Sequence, residues 1–192
     1  YPERFPEVGG ESPAYDLSFV ERFGDRALAA VVRYRALRTL GATQSPFDAW
    51  VTLGGVETLP LRMDRHCANA RAVADFLADH PAVEWVAYPG RPDHPTHDAA
   101  SEYLDGYGGM VSVSLADGYD AARDLCESVE LCSFLANVGD ARTLVVHPAS
   151  TTHSQLSEAE QRAAGVGPEL VRISVGLEDP ADVCADLAEA LG

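Results

Sequence analysis

Leu170-Val171-Arg172-Ile173-Ser174-Val175 is an apolar run with a single cation set into it. In an extended backbone successive side chains point to opposite faces, so Val171, Ile173 and Val175 share one face and Arg172 and Ser174 the other. The β-branched residues on the first face favour that extended form. The run therefore predicts a strand with one core-facing side and one side that has to satisfy a guanidinium.

Outward from this strand, short β-prone runs recur at Val83–Tyr88, Met110–Leu115, Phe134–Asn137 and Leu144–His147. Helical stretches at His97–Leu104, Asp120–Ser128 and Ser157–Ala164 lie between them, and Pro180–Leu191 closes the chain. Ser157 and Glu160 have the spacing of a capping box, in which each side chain bonds the other's backbone N–H. Asp179-Pro180 opens the last helix, which is expected to bury Val183, Leu187 and Leu191. Strands interleaved with helices predict an α/β or α+β sandwich, its sheet covered on one face by helices.

Before Val83 the period is helical. Leu59, Met63, Cys67, Ala70, Ala74 and Leu77 form one stripe, while Arg62, Arg65, Asn69 and Asp75 lie elsewhere and are expected on the polar side. His80-Pro81 ends this long helix. Ser45-Pro46-Phe47-Asp48 reads as another helix start, with a capping serine, a proline suited to the first turn and an acid at the positive helix end. Asp25 to Leu40 is a helix whose apolar residues (Leu28, Val31, Val32, Leu37, Leu40) point to burial on several sides, and Gly41 can stop it. Tyr1 to about Ala14, rich in Pro, Gly and Glu, reads as a loop from something larger.

The 192 residues suffice for a buried core. A formal charge of -16 argues against nucleic acid as a partner, because phosphate binding needs clustered cations. It also suits a protein that stays soluble in concentrated salt. All 14 basic residues are arginine. No apolar run reaches the roughly 20 residues of a membrane span, and no charged-then-apolar leader opens the chain, so a soluble, cytoplasmic protein is expected. Cys67, Cys126, Cys132 and Cys184 lack metal-ligand spacing, and Cys67 and Cys184 fall on apolar helix faces as reduced core thiols. The histidine pairs His94/His97 and His147/His153 have no third or fourth ligand at a convincing spacing, so no metal is expected.

Two features invite function. An arginine within an apolar strand is costly unless something pairs it. That partner is either an Asp or Glu of this acidic chain or a ligand carboxylate, whose two oxygens match the planar fork. The second feature runs from Asn137-Val138-Gly139-Asp140 to His147-Pro148-Ala149-Ser150-Thr151-Thr152-His153, the densest cluster of small polar residues. It is read either as a hydrogen-bonded turn or as a binding loop.

These motifs, in this order and spacing, resemble the C-terminal domain of the Cys/Met-metabolism family of pyridoxal-phosphate enzymes, together with Thr143-Leu-Val-Val and Leu170-Val-Arg-Ile-Ser-Val-Gly-Leu-Glu-Asp179. Ser45-Pro-Phe-Asp-Ala49 and Gly55-Val-Glu-Thr-Leu-Pro-Leu-Arg62 extend the resemblance to nearly the whole chain. Asn137-Val138 and Ser150-Thr151-Thr152 are similar to the O-acetylhomoserine sulfhydrylase branch, as is the opening Tyr1-Pro-Glu-Arg-Phe-Pro-Glu. Lyases of the family tend to carry serine where Asn137 stands.

The resemblance implies a fold-type-I transferase divided into the tail of a large cofactor-binding domain with connecting helices (1–54) and a small substrate-binding domain (55–192). It implies that Arg172 clamps the α-carboxylate of an amino-acid substrate, with Asn137 beside it and Thr152 nearby. It further implies γ-replacement of acetate by sulfide in methionine biosynthesis, in a homotetramer built from dimers that share active sites. A cystathionine γ-synthase or methionine γ-lyase is the alternative within the family, and a non-catalytic partner domain the alternative outside it. The departure is the lysine that holds pyridoxal phosphate in such enzymes, because this sequence has none. No catalytic, cofactor-binding or metal residue is therefore expected here, and the chain is expected to be the C-terminal part of a longer enzyme, inactive alone.

Overall fold

The computed structural model describes residues 6–12 and 14–192. The chain divides into two compact units, the first ending at Glu57 and the second spanning Thr58–Gly192.

In the first unit the expected loop is partly ordered. Pro6–Gly9 is helical, and Glu11–Ser12 pairs antiparallel with Leu17–Ser18. The opening residues 1–5 and Pro13 lie outside the described residues, and with them most of the Tyr1–Glu7 motif. The order has an apolar cause: Val8 and Phe19 bury against Ala27 and Ala30. The helix expected from Asp25 to Leu40 runs through a 3₁₀ turn at Gly24–Arg26, then Ala27–Val31, a wide π-helical stretch Val32–Leu37, and Arg38–Leu40. The Tyr34 carbonyl in the wide stretch accepts the Tyr15 hydroxyl at 2.7 Å. Gly41 stops the helix at φ 66, as expected of a residue without Cβ.

Burial on several sides is not what this unit provides. Only the Ala27/Ala30 side meets Phe19, and Leu28, Val32 and Leu40 remain exposed. In the helix Pro46–Glu57, Ser45 Oγ accepts the Asp48 N–H at 3.1 Å, and Phe47 and Trp50 are 67% and 69% exposed.

The second unit is a five-stranded sheet with helices on one face. Its strands are β1 (Val83–Ala87), β2 (Met110–Leu115), β3 (Ser133–Phe134), β4 (Leu144–Val146) and β5 (Leu170–Ser174), in the order β1-β2-β5-β4-β3. All pairs are antiparallel except β3 with β4. The long helices α1 (Leu59–Ala78), α3 (Gly118–Ser128) and α5 (Pro180–Leu191) cover one face, and α2 (His97–Tyr103) and α4 (Glu158–Ala163) lie in connections. Val171 and Ile173 join Val111, Val113, Val145, Leu77, Leu125 and Leu187 in the core. The fold is thus the mixed helix-and-sheet sandwich expected. Val183 and Leu187 are fully buried while Leu191 is only partly so. Both halves of the Ser157/Glu160 capping box are made, and Asp179 caps α5 through the Ala181 N–H.

Two local expectations are overturned. Asn69, off the apolar stripe, is 1% exposed rather than solvated, because its amide donates to the carbonyls of Gly176 (3.0 Å) and Glu178 (2.8 Å). The strand expected at Phe134–Asn137 ends at Phe134: β4 is short, and the following chain turns away from the sheet edge toward the central strand.

Asp186 on α5 fastens the entry to β3 by accepting the backbone N–H groups of Glu130, Leu131 and Cys132 at 2.8, 3.0 and 2.8 Å. Burial opposes its ionisation, yet these three bonds together hold its carboxyl below the usual range. A group with a depressed folded pKa contributes stability that is present above its unfolded pKa and is lost as pH falls through the folded one. Asp186→Asn is expected to lower the urea midpoint at neutral pH by the equivalent of about 1–2 kcal/mol. Its gap to the wild type should close as pH falls below about 4, where ordinary carboxyls protonate. A gap that stays constant down to pH 2 would assign no such role to the ionised form.

Candidate functional site

Arg172 sits in the middle of β5, the central strand, opposite Ser112 of β2 and Val146 of β4. Strand alternation sends its side chain away from the core that takes Val171 and Ile173, to the face shared with Ser174. Arg172 is half-buried, and its Nη2 donates to the backbone carbonyl of Asn137 at 3.3 Å. Its Nε is buried with no hydrogen-bond partner. Among the described residues no Asp or Glu pairs with it, so the internal salt bridge left open by the sequence is not formed. A buried N–H without an acceptor costs on the order of 1–3 kcal/mol, and a guanidinium without an internal carboxylate leaves its charge to be met by an outside anion.

Asn137 is exposed and meets Arg172 through its main chain, which no reading of its side chain could reveal. The loop behind it is tied down. Gly139, at φ 74, donates its N–H to Ser174 Oγ at 3.2 Å. The Asp140 carboxylate accepts the Arg142 N–H at 3.0 Å, which holds that carboxyl below the usual range. Thr152 lies on the other loop, exposed, with its hydroxyl 2.9 Å from His153 Nδ1. The structure thus brings Arg172 and Asn137 together and leaves Thr152 bonded to its neighbour. Gln161 of α4, buried, fixes the Thr152 loop by donating to the carbonyls of Ala149 (3.1 Å) and His153 (3.0 Å). Neither Ser174 nor Gln161 was singled out by the sequence. Ser174 carries a signal, its position two residues from Arg172 on the same strand face, whereas nothing local shows where the Gln161 amide points.

The histidines serve the fold. His147 is fully buried: Nε2 donates to the Pro168 carbonyl at 2.8 Å and Nδ1 lies 2.9 Å from Ser150 Oγ. His97 Nδ1 donates to the Pro89 carbonyl at 2.8 Å. Among the described residues no group of three or more His, Cys, Asp or Glu is arranged to hold a metal ion.

The family model for Cys/Met metabolism PLP-dependent enzymes matches residues 19–192. The chain belongs to this family. The sequence is 49% identical over 190 residues to O-acetyl-L-homoserine sulfhydrylase 1 of Thermus thermophilus, covering 98% of this chain and 45% of that protein. It is 46% identical to homocysteine synthase of Schizosaccharomyces pombe, covering 98% of this chain and 44% of the relative. A solved O-acetylhomoserine (thiol)-lyase of Campylobacter jejuni superposes with a TM-score of 0.82 at 36% identity, over 98% of this chain and 45% of that one. This family member therefore spans a little under half the length of the relatives it matches.

The Campylobacter crystal structure contains N'-pyridoxyl-lysine-5'-monophosphate, a cofactor joined to lysine. None of the 192 residues here is lysine. The Arg172–Asn137 cluster offers a fork of N–H donors that can meet an anion, and no amine to bond the aldehyde of the cofactor.

Proposed function

We propose that this chain is the C-terminal, substrate-binding part of an O-acetylhomoserine sulfhydrylase, the large domain and its lysine being supplied by a longer polypeptide. In that enzyme hydrogen sulfide replaces acetate at the γ carbon of O-acetylhomoserine, giving homocysteine and acetate. The observation that carries the reading is the partner-free Nε of Arg172 beside an Nη2 already fixed by Asn137. Identities of 46–49% to a homocysteine synthase and a sulfhydrylase support the choice of branch.

Arg172 moves no proton. It holds the α-carboxylate at two points, which orients the Cα–H bond for removal; such positioning can contribute several kcal/mol to a barrier. Asn137 lies beside the same carboxylate, and Thr152, whose hydroxyl meets His153 Nδ1 in the unliganded fold, would turn to reach it. Pyridoxal phosphate, when bound to the large domain, supplies the electron sink. We propose that the longer enzyme acts in the cytoplasm as a homotetramer built from two dimers. Among the described residues no helix is long and apolar enough to cross a membrane.

The test has two arms. The full-length enzyme, given O-acetylhomoserine and sulfide, is expected to release homocysteine and acetate in equal amounts. Release of a keto acid and ammonia, or a requirement for cysteine as the acceptor, would move the protein to the lyase or cystathionine-synthase branch. The 192-residue chain alone, treated with pyridoxal phosphate and borohydride, is expected to give no pyridoxyl adduct on any interior peptide.

A further inference from the structure

We propose that Thr143 and Glu178 are positioning residues for the Arg172 guanidinium, acting through the backbone of the 137–143 loop; this rests on the reading of Arg172 as a carboxylate clamp. The loop and the segment 172–178 are joined at nearly every second residue. Arg172 Nη2 donates to the Asn137 carbonyl at 3.3 Å, and the Gly139 N–H to Ser174 Oγ at 3.2 Å. The Leu177 N–H donates to the Ala141 carbonyl at 2.8 Å, and the Thr143 N–H to Glu178 Oε1 at 2.7 Å. Thr143 is fully buried whereas Asn137 is exposed, so the Thr143 end is the anchor and the Asn137 end the part that is placed.

Chemistry at the anchor supports this. The buried Thr143 hydroxyl donates to Glu178 Oε2 and accepts the Gly176 N–H, both at 2.9 Å, so both Glu178 oxygens are used. The same segment is held from α1: Asn69 donates to the Gly176 and Glu178 carbonyls, and His66 Nδ1 donates to the Val175 carbonyl at 2.7 Å. A continuous path of direct bonds thus runs from the long helix through Glu178 and Thr143 to the loop that ends on Arg172. The Asn137 carbonyl takes one hydrogen of Nη2 and so fixes the plane of the guanidinium. The plane decides whether a carboxylate can be met by two parallel bonds or by one.

The experiment is a double-mutant cycle in the full-length enzyme. Thr143→Val keeps the shape of the side chain but removes both hydroxyl bonds, and is expected to lower kcat/KM for the amino-acid substrate about tenfold with the cofactor spectrum unchanged. Thr143→Ser, which keeps the hydroxyl, should restore most of it. In an Arg172→Lys background, where the fork is already lost, Thr143→Val should change kcat/KM by less than about twofold. The same tenfold loss in both backgrounds, or a lowered unfolding midpoint with kcat/KM unchanged, would overturn the proposal and leave the clamp assignment standing. An Arg172→Lys enzyme as active as the wild type would instead remove the clamp itself. If Thr143→Val does not fold, Glu178→Gln keeps one acceptor oxygen and is expected to give a smaller loss in the same direction; no loss overturns the proposal.

Discussion

Arg172→Lys in the full-length enzyme is expected to lower kcat/KM for the amino-acid substrate by about 10- to 100-fold, with the cofactor still bound. The substitution keeps the charge and most of the length, so the large domain and its cofactor are undisturbed. What it removes is the fork. An ammonium is a compact point charge that cannot hold the Asn137 carbonyl and both oxygens of a carboxylate in one plane. Losing one charge-assisted hydrogen bond is worth about 1.5–3 kcal/mol, which sets the range. Steady-state kinetics with absorbance of the bound cofactor provide the measurement. An unchanged kcat/KM would leave Arg172 as a structural cation of the sheet.

Gly176→Ala should have the largest effect on stability. A Cβ at this position would run into the main chain of Ala141 and Arg142 and into the Glu178 carboxylate. Neither side can yield cheaply, because the Gly176 N–H is bonded to Thr143 Oγ1 and its carbonyl to Asn69. Overpacking against fixed backbone costs about 1–3 kcal/mol, and broken bonds of this latch add to it, so a loss of about 3 kcal/mol is expected. Urea unfolding of the second unit measures it. A midpoint within error of the wild type would mean that the 137–143 loop moves aside freely, which would also undercut its role in holding Asn137.

Much of this fold was legible because its signals are local. The change of period after His80-Pro81, the β-prone run at Met110–Leu115, and the caps at Ser45, Ser157 and Asp179 each depend on residues within one turn or one strand. Arg172 stood out because a guanidinium in an apolar strand needs a reason. Partners distant in sequence were not legible. Asn69 lies on the side of α1 that the stripe leaves polar, and it is buried by two carbonyls more than a hundred residues downstream. Glu178 reads as one more acid in a chain of charge -16, and only the folded structure shows both its oxygens occupied by Thr143. In the first unit, the apolar side chains of the helix at 27–40 promised burial on several sides, and among the described residues only the Ala27/Ala30 side is covered.

The strand order also sets a schedule for synthesis. The middle strand of the sheet, β5, is the last to be made, and it inserts between β2, finished some 55 residues earlier, and β4. Until residue 174 has emerged, β2 and β4 lack the strand that pairs with both, so each has an unpaired edge open to a neighbouring chain. Pairings that span such separations form slowly, and unpaired edges are where nascent chains stick to one another. The strand that pairs both edges is also the one that carries Arg172. A translation product cut short before Leu170 would therefore lack the clamp and also be the form most in need of a chaperone. Arg172 thus joins the chain at the step that links the two halves of the sheet.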